Sequence, residues 1–248
     1  EIRMEVKDDG YVAARTLKNV TEMVEAQSVF ALISPLGTAN TASILPLIES
    51  KGIPTVGPVT GATSLRAAAN KHVFFLRPSY REETQRLVKQ IVEMGLKRIA
   101  VVYLDNPFGT GGLAALQASA QALGIQLLAS APLDVTGANL AQAVAEVGQH
   151  NPQAIIVISA GKPSVDFIAA YQASGRHTLF YVLSVISNVQ LVQGLGERAR
   201  GVVVSQVVPS PWSAKLELSR EFQRLARAQG IEELTFSQME GFLSAKFL

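Results

Sequence analysis

Two short apolar runs are each followed by proline, glycine and hydroxyl-bearing residues, which are residue types that bind small polar ligands. The run 29–33 leads into SPLGTANT, and the run 53–56 leads into GPVTGATS. Both runs have the pattern of buried parallel strands, whose carboxyl ends meet at one edge of a sheet. Glycine admits a ligand close to the backbone, and N–H groups at a helix start favour an anion. Segments 35–41 and 58–64 are therefore predicted to cradle a carboxylate, although ordinary strand-to-helix loops have the same composition.

Arg77 is a further candidate for carboxylate binding, because it ends an apolar run close to Tyr80. A guanidinium can hold a carboxylate through two parallel N–H bonds. The alternative is an ion pair between two lobes of the chain. Trp212, the only tryptophan, is expected to pack at a hinge or to line a cleft.

The stretch 109–114 matches the dinucleotide-binding pattern G-x-G-x-x-A, but residues 105–108 separate it from the preceding apolar run. The fingerprint needs its first glycine in the tight turn directly after a strand, so we predict a glycine-rich helix start instead. No G-x-S-x-G or Walker A sequence occurs, the three histidines are scattered and cysteine is absent. The chain is therefore predicted not to be an enzyme, and to hold no metal and no cofactor.

Composition narrows the class of protein. Of the 248 residues, 48% are hydrophobic and 17% are charged, and the net charge is +2. The sequence has no basic cluster of the kind that would indicate a nucleic-acid partner. No apolar run reaches the ~18 residues of a membrane span. The sequence begins without methionine and ends within an apolar helical pattern. We therefore expect both ends to be incomplete, with any signal segment outside this chain.

Apolar runs of strand length alternate with amphipathic helical patterns along the chain, which predicts an α/β fold with doubly wound parallel sheets. The alternation of strand and helix patterns before about residue 77 recurs after about residue 97, which predicts two Rossmann-like lobes joined by a hinge. The lobes would be 1–78 plus 211–248, and 79–210. Further predicted features are a strand over 2–6, a capping box at Ser79 and Glu82, a strand over 125–129, a helix capped by Asn139 and a strand over 202–208.

Taken in order, several segments resemble type I periplasmic solute-binding proteins of ABC transporters, in the leucine/isoleucine/valine-binding branch. The segments are FALISPLGTANTASILPLIESKGIPTVGPVTGATSLR, VFFLRPSYREE, RIAVVYLDNPFGTGGL and GVVVSQVVPSPW. Each motif is weak alone, but the ordered set is specific and covers essentially the whole chain. Compared with that family, the first strand–helix unit and the last helix and strands are missing, so the chain resembles a member truncated at both ends.

The resemblance implies a type I periplasmic binding protein fold, in which two lobes close on a solute like a hinged trap. In amino-acid-binding relatives a hydroxyl in the first loop holds the ligand carboxylate, and that position here is Thr38. Ala39 lies beside it. The second loop assists, through the positions Val59, Thr60 and Gly61.

On the second lobe the resemblance implies ligand contacts from Phe108, which precedes a glycine as in relatives, and from Gly161, Ser184 and Gln206. The tyrosine that relatives carry near Gly161 is absent. Relatives also place an acid near Ser184 to neutralise the ligand ammonium, and the sequence shows none there. Because burying an unpaired ammonium is costly, we expect a solute without a free α-ammonium.

The predicted function is capture of a small carboxylate-bearing solute in the inter-lobe cleft, for delivery to the membrane permease of an ABC importer. The solute would be amino-acid-like or an aromatic or aliphatic acid. The predicted location is the periplasm, or a lipid-anchored extracytoplasmic position, without direct membrane insertion. The alternative is a ligand-sensing domain of a receptor or regulator with the same fold. A lipobox or signal peptide outside this chain would indicate transport, and a helix-turn-helix or membrane span would indicate sensing.

Overall fold

A computed structural model describes residues 3–248 and divides the chain into two compact units. The first contains the residues up to Arg77 together with Val208–Leu248, and the second is Pro78–Val207. The helices and strands, in chain order, are α1 (Ala13–Glu25), β1 (Leu32–Ile33), α2 (Thr38–Lys51), β2 (Thr55–Val56), β3 (Val73–Phe74), α3 (Tyr80–Glu93), β4 (Ile99–Leu104), α4 (Pro107–Ala122), β5 (Ser130–Leu133), α5 (Leu140–Gly148), β6 (Ala154–Ile158), α6 (Lys162–Ala173), β7 (Leu179–Val182), α7 (Asn188–Leu195), β8 (Val202–Val204), α8 (Glu217–Ala228) and α9 (Phe236–Phe247).

The first unit contains a small parallel sheet with the strand order β1-β2-β3. Its strands pair over only two residues each, because Ser34 (φ 51°) and Gly57 (φ 63°) turn the chain directly after β1 and β2. Apolar residues of α1, α2 and the strands form its core, which consists of Val20, Leu32, Ile44, Ile48, Ile53 and Val73. The carboxyl ends of β1 and β2 consequently lie side by side, at the starts of the two small-residue segments.

The second unit contains a parallel sheet with the strand order β5-β4-β6-β7-β8. The chain adds strands on both sides of β4, which is the doubly wound arrangement that the strand–helix alternation predicts. Strand β6 is buried along its whole length. One face of the sheet, including Val102, Ile155 and Phe180, packs in a cluster with residues of α5, α6 and α7.

Helices α3 and α4 both begin at side-chain caps. Ser79 and Glu82 form the predicted capping box of α3. The Asn106 side chain accepts a hydrogen bond from the Gly109 N–H at the start of α4, and Pro107 occupies its first position. The glycines of 109–114 therefore lie within a helix, as predicted, and do not form a phosphate-binding loop.

Two predicted strands differ in the structure. Residues 3–6, within the strand expected over 2–6, are exposed and irregular, while Ile2 lies outside the described residues. The strand expected over 125–129 is found instead at Ser130–Leu133. Both segments contain apolar residues, and the strand forms at the later one because Ala131 and Leu133 are buried in the core.

Three further differences concern the Asn139 cap, the end of strand β8 and an additional helix. Asn139 precedes α5 as predicted, but its side chain accepts from the Asp134 N–H and donates to the Pro132 carbonyl instead of capping the helix. Strand β8 stops at Val204, short of the predicted residue 208. The sequence pattern does not predict α7, which begins at the Ser187 side-chain cap.

No helix within residues 3–248 is both long and apolar enough to cross a lipid bilayer. The same residues contain no group of three or more histidine, cysteine, aspartate or glutamate side chains placed to hold a metal ion.

Candidate functional site

The two small-residue segments of the first unit are hydrogen-bonded to each other beyond the ends of their strands. The Val59 N–H donates to the Pro35 carbonyl at 2.9 Å, and the Gly37 N–H donates to the Val59 carbonyl at 3.3 Å. Leu36 and Val59 form a parallel bridge that continues the pairing of β1 with β2. The backbone of this cradle is therefore held before any ligand arrives, which lowers the ordering cost of binding.

A pair of threonine hydroxyls joins the segments at their centre. The Oγ1 atoms of Thr38 and Thr60 lie 2.8 Å apart, and the two residues are 5% and 0% exposed. Thr60 Oγ1 also accepts the Ala62 N–H at 3.2 Å. A hydroxyl carries one hydrogen, so when Thr60 donates to Thr38, the Thr38 hydrogen remains to be donated to another acceptor.

Helix α2 begins at Thr38, within the loop predicted over 35–41. Thr38 and Ala39 therefore lie in its first turn. Its N-cap, Gly37, offers no side-chain oxygen to the first N–H groups, which form the positive end of the helix dipole. Gly37 has φ 102°, and a Cβ there would lie 2.6 Å from the Tyr11 ring, so only glycine fits. This helix start favours an anionic oxygen beside the Thr38 hydroxyl.

Gly61 completes the predicted set of the first unit. It is buried between Thr60 and the short 3-10 turn Thr63–Leu65, where it contributes backbone alone. Five predicted ligand-binding residues, Thr38, Ala39, Val59, Thr60 and Gly61, are thus brought to the ends of β1 and β2.

Arg77 forms an ion pair within the first unit. Its Nε and one terminal nitrogen donate to the two Glu240 carboxylate oxygens, each at 2.8 Å. The arginine side chain is 2% exposed and the glutamate side chain 13% exposed. Glu240 belongs to α9, so this pair does not join the two units, unlike the inter-lobe ion pair expected as the alternative. Arg77 thus makes to the Glu240 carboxylate the bidentate hydrogen bonds that were predicted for a ligand carboxylate.

We expect Glu240→Gln to lower the free energy of unfolding by about 2–3 kcal/mol, because a neutral amide with one acceptor oxygen replaces a charged group with two. Urea denaturation measures this change. Glu221→Gln is the matched control, since Glu221 pairs with the half-exposed Lys246 on the surface and should cost below about 1 kcal/mol. Equal effects of the two substitutions would show that the Arg77 pair contributes no more than a surface pair.

Tyr80 and Phe108 pack against each other inside the second unit. Their ring centroids lie 5.3 Å apart, and the residues are 2% and 3% exposed. They stand in the first turns of α3 and α4 and join these helices. The structure therefore places both rings mainly in the interior, with little surface available for the predicted ligand contact.

The remaining predicted residues of the second unit lie at or near the carboxyl ends of its strands. Gly161, at the start of α6, has φ 62° and open space where a Cβ would be. Ser184 follows β7, and Gln206 follows β8. Gln206 lines a cavity of about 460 Å³ between α3 and residues 203–207.

Glu83 is the residue that the sequence analysis missed. Its Oε1 accepts the Ser184 N–H at 2.6 Å, so an acid contacts Ser184 although the segment after β7 carries none. The acid comes from α3, far away in sequence, and not from the loop after β7. A signal was present, because Glu83 has helical spacing with the buried Leu87 and Ile91. The expectation of a solute without a free α-ammonium stays a prediction, because Glu83 Oε1 already accepts from Ser184 and Ser205.

Comparison of the chain with known families gives one match over its full length. The family described as "Periplasmic binding protein" matches residues 1–248. A search of curated proteins found no match.

Solved structures with similar folds include three with sequence identity above a quarter, two of which come from Ralstonia solanacearum and Rhodopirellula baltica SH 1. A substrate-binding periplasmic protein from Ralstonia solanacearum is 29% identical with a TM-score of 0.88, and the match covers 96% of this chain and 69% of that one. A possible leucine/isoleucine/valine-binding protein from Rhodopirellula baltica SH 1 is 27% identical with a TM-score of 0.90, over 97% and 67% of the two chains. A branched-chain amino acid ABC transporter protein from Thermus thermophilus with bound valine is 20% identical with a TM-score of 0.82, over 97% and 64%.

Proposed function

Because this chain belongs to the periplasmic binding protein family, we propose that it captures a small carboxylate-bearing solute for an ABC importer and performs no chemistry on it. The observation that carries the proposal is the helix start at Gly37 and Thr38, with its hydroxyl pair to Thr60. One carboxylate oxygen would accept from the Thr38 hydroxyl, and the N–H groups of the first turn of α2 would stabilise its charge.

The rest of the solute would contact strand-end residues of the second unit, among them Gly161, Ser184 and Gln206. An amino acid and an aromatic or aliphatic acid are both candidates for this solute. The protein would act in the periplasm or on the outer side of the cytoplasmic membrane, and would deliver the solute to a membrane permease.

A thermal-shift screen tests this proposal with matched pairs of acids and amides. Valine and valinamide, leucine and leucinamide, and benzoate and benzamide differ at the carboxylate alone within each pair. We expect at least one acid to raise the melting temperature, since ligand at 100 times Kd adds about 2.7 kcal/mol of stability. Its amide should give no shift at the same concentration, because it lacks the anionic oxygen that the helix start favours.

The screen also has outcomes that would overturn the proposal. If an amide binds as tightly as its acid, the site does not recognise a carboxylate. If turnover of a bound compound is detected by mass spectrometry, the role as a binding protein without chemistry is wrong.

A further inference from the structure

Glu83 is a buried acid at the sheet-facing side of α3. It is 5% exposed, and Leu87 and Ile91 follow it on the same helix face at 3% and 0%. Its position in the first turn of α3 suits a negative charge, because the helix dipole is positive there. An acid on an otherwise apolar face needs hydrogen-bond donors from the elements that it packs against.

Two strand ends supply those donors. Glu83 Oε1 accepts the Ser184 backbone N–H at 2.6 Å and the Ser205 hydroxyl at 2.5 Å. Ser184 comes shortly after β7, and Ser205 comes directly after β8. These strands are neighbours, with Val182 opposite Val204. A single carboxylate oxygen therefore links the first turn of α3 to the ends of two adjacent strands.

The contact stands where the pairing of the two strands ends. The Ser205 N–H still donates to the Val182 carbonyl at 3.1 Å. The Ser184 N–H donates instead to the side chain of Glu83. After this point the chain turns, with the Ile186 N–H donating to the Leu183 carbonyl, and α7 begins. The Glu83 carboxylate thus binds the chain at the point where residues 183–187 leave the sheet.

We propose that Glu83 is a positioning residue that holds the Ser184 N–H and thereby fixes residues 183–187 for solute binding. It acts through Ser184, because Oε1 accepts from Ser184 and Ser205 and the second carboxylate oxygen, Oε2, is buried. The part that concerns solute affinity rests on the proposed function. The part that concerns the Ser184 N–H stands on the geometry of the second unit alone.

The test compares three variants of the full chain. Glu83→Gln keeps an acceptor oxygen for Ser184 and Ser205, Glu83→Ala removes it, and Gln85→Ala alters an exposed residue of the same helix as a control. Amide hydrogen exchange at Ser184, followed by NMR, reports the hydrogen bond directly. We expect Glu83→Ala to raise its exchange rate about tenfold or more, while Glu83→Gln changes it less than about threefold and Gln85→Ala leaves it unchanged.

A second readout is the affinity for valine and for benzoate, measured by calorimetry. For whichever compound binds, Glu83→Ala should weaken binding about tenfold, and Glu83→Gln should retain most of the wild-type affinity. Unchanged exchange at Ser184 in a folded Glu83→Ala protein would overturn the positioning role. If Glu83→Ala does not fold, the comparison is between Glu83→Gln and the control Gln85→Ala. Because Glu83→Gln retains the acceptor, Ser184 exchange that is tenfold or more faster in Glu83→Gln than in Gln85→Ala would also overturn the positioning role.

The two proposals fail in different ways. If neither valine nor benzoate binds the wild-type chain, the result counts against the proposed solutes, and the exchange rate at Ser184 still decides whether Glu83 holds that N–H. If a compound binds equally well to wild type and to Glu83→Ala, the solute proposal stands and the positioning role is wrong.

Discussion

Thr38→Ala is expected to weaken solute binding by about 10- to 100-fold, because a hydrogen bond to a charged group contributes roughly 1.5–3 kcal/mol. The hydroxyl lost is the one that can donate to a carboxylate when Thr60 donates to Thr38. The unliganded protein should melt only a few degrees lower, since the substitution removes one neutral hydrogen bond from a residue at the edge of the core.

Calorimetric titration of the acid that binds best in the screen measures this effect. Thr38→Ser keeps the hydroxyl and should bind within about threefold of wild type, because the donor remains in place. Thr63→Ala is the matched control, since Thr63 is exposed and lies three residues beyond Thr60. Binding to Thr38→Ala with wild-type affinity would place the carboxylate elsewhere.

Gly109→Ala is expected to lower the free energy of unfolding by about 4 kcal/mol or more, which exceeds the effect of most substitutions. A Cβ at Gly109 would lie 1.9 Å from the Leu104 carbonyl oxygen and 2.6 Å from the Leu104 nitrogen. These are backbone atoms of β4 and cannot rotate away, so α4 would have to move off the sheet. The cap that Asn106 gives to the Gly109 N–H would move with it.

Gly111→Ala is the matched control, two residues along the same helix. Nothing lies within 4 Å of a Cβ at Gly111, so the methyl group enters open space. This change should stabilise the protein by about 0.5–1 kcal/mol, because alanine loses less backbone entropy than glycine in a helix. Urea denaturation compares the variants, and similar midpoints for Gly109→Ala and wild type would contradict the close packing of α4 on β4.

The elements near the candidate site could be predicted because their signals are local. The serine and glutamate of the α3 capping box are three residues apart, and Lys51 and Gly52 end α2 as neighbours in sequence. The repeated proline, glycine and threonine pattern likewise marks the ends of β1 and β2. Strand lengths were less predictable, because an apolar run reports burial, whereas a strand also needs a partner at the same register.

The contacts that could not be predicted join residues far apart in sequence. Arg77 and Glu240 are separated by 163 positions, and Glu83 and Ser184 by 101. Helical periodicity indicates that Glu83 faces the interior, but the strand ends that it meets there depend on the sheet order. The strand order β5-β4-β6-β7-β8 places the ends of β7 and β8 together, and no spacing in the sequence specifies that neighbourhood.

The shared hydrogen bond between Thr38 and Thr60 also has a consequence for how this protein can evolve. Each hydroxyl sets the hydrogen position of the other, so the effect of replacing one depends on whether the other is present. A lineage that loses either threonine alone passes through an intermediate in which the other hydroxyl lacks this hydrogen bond. Epistasis between two positions in separate segments therefore restricts the routes by which the specificity of the cradle can change.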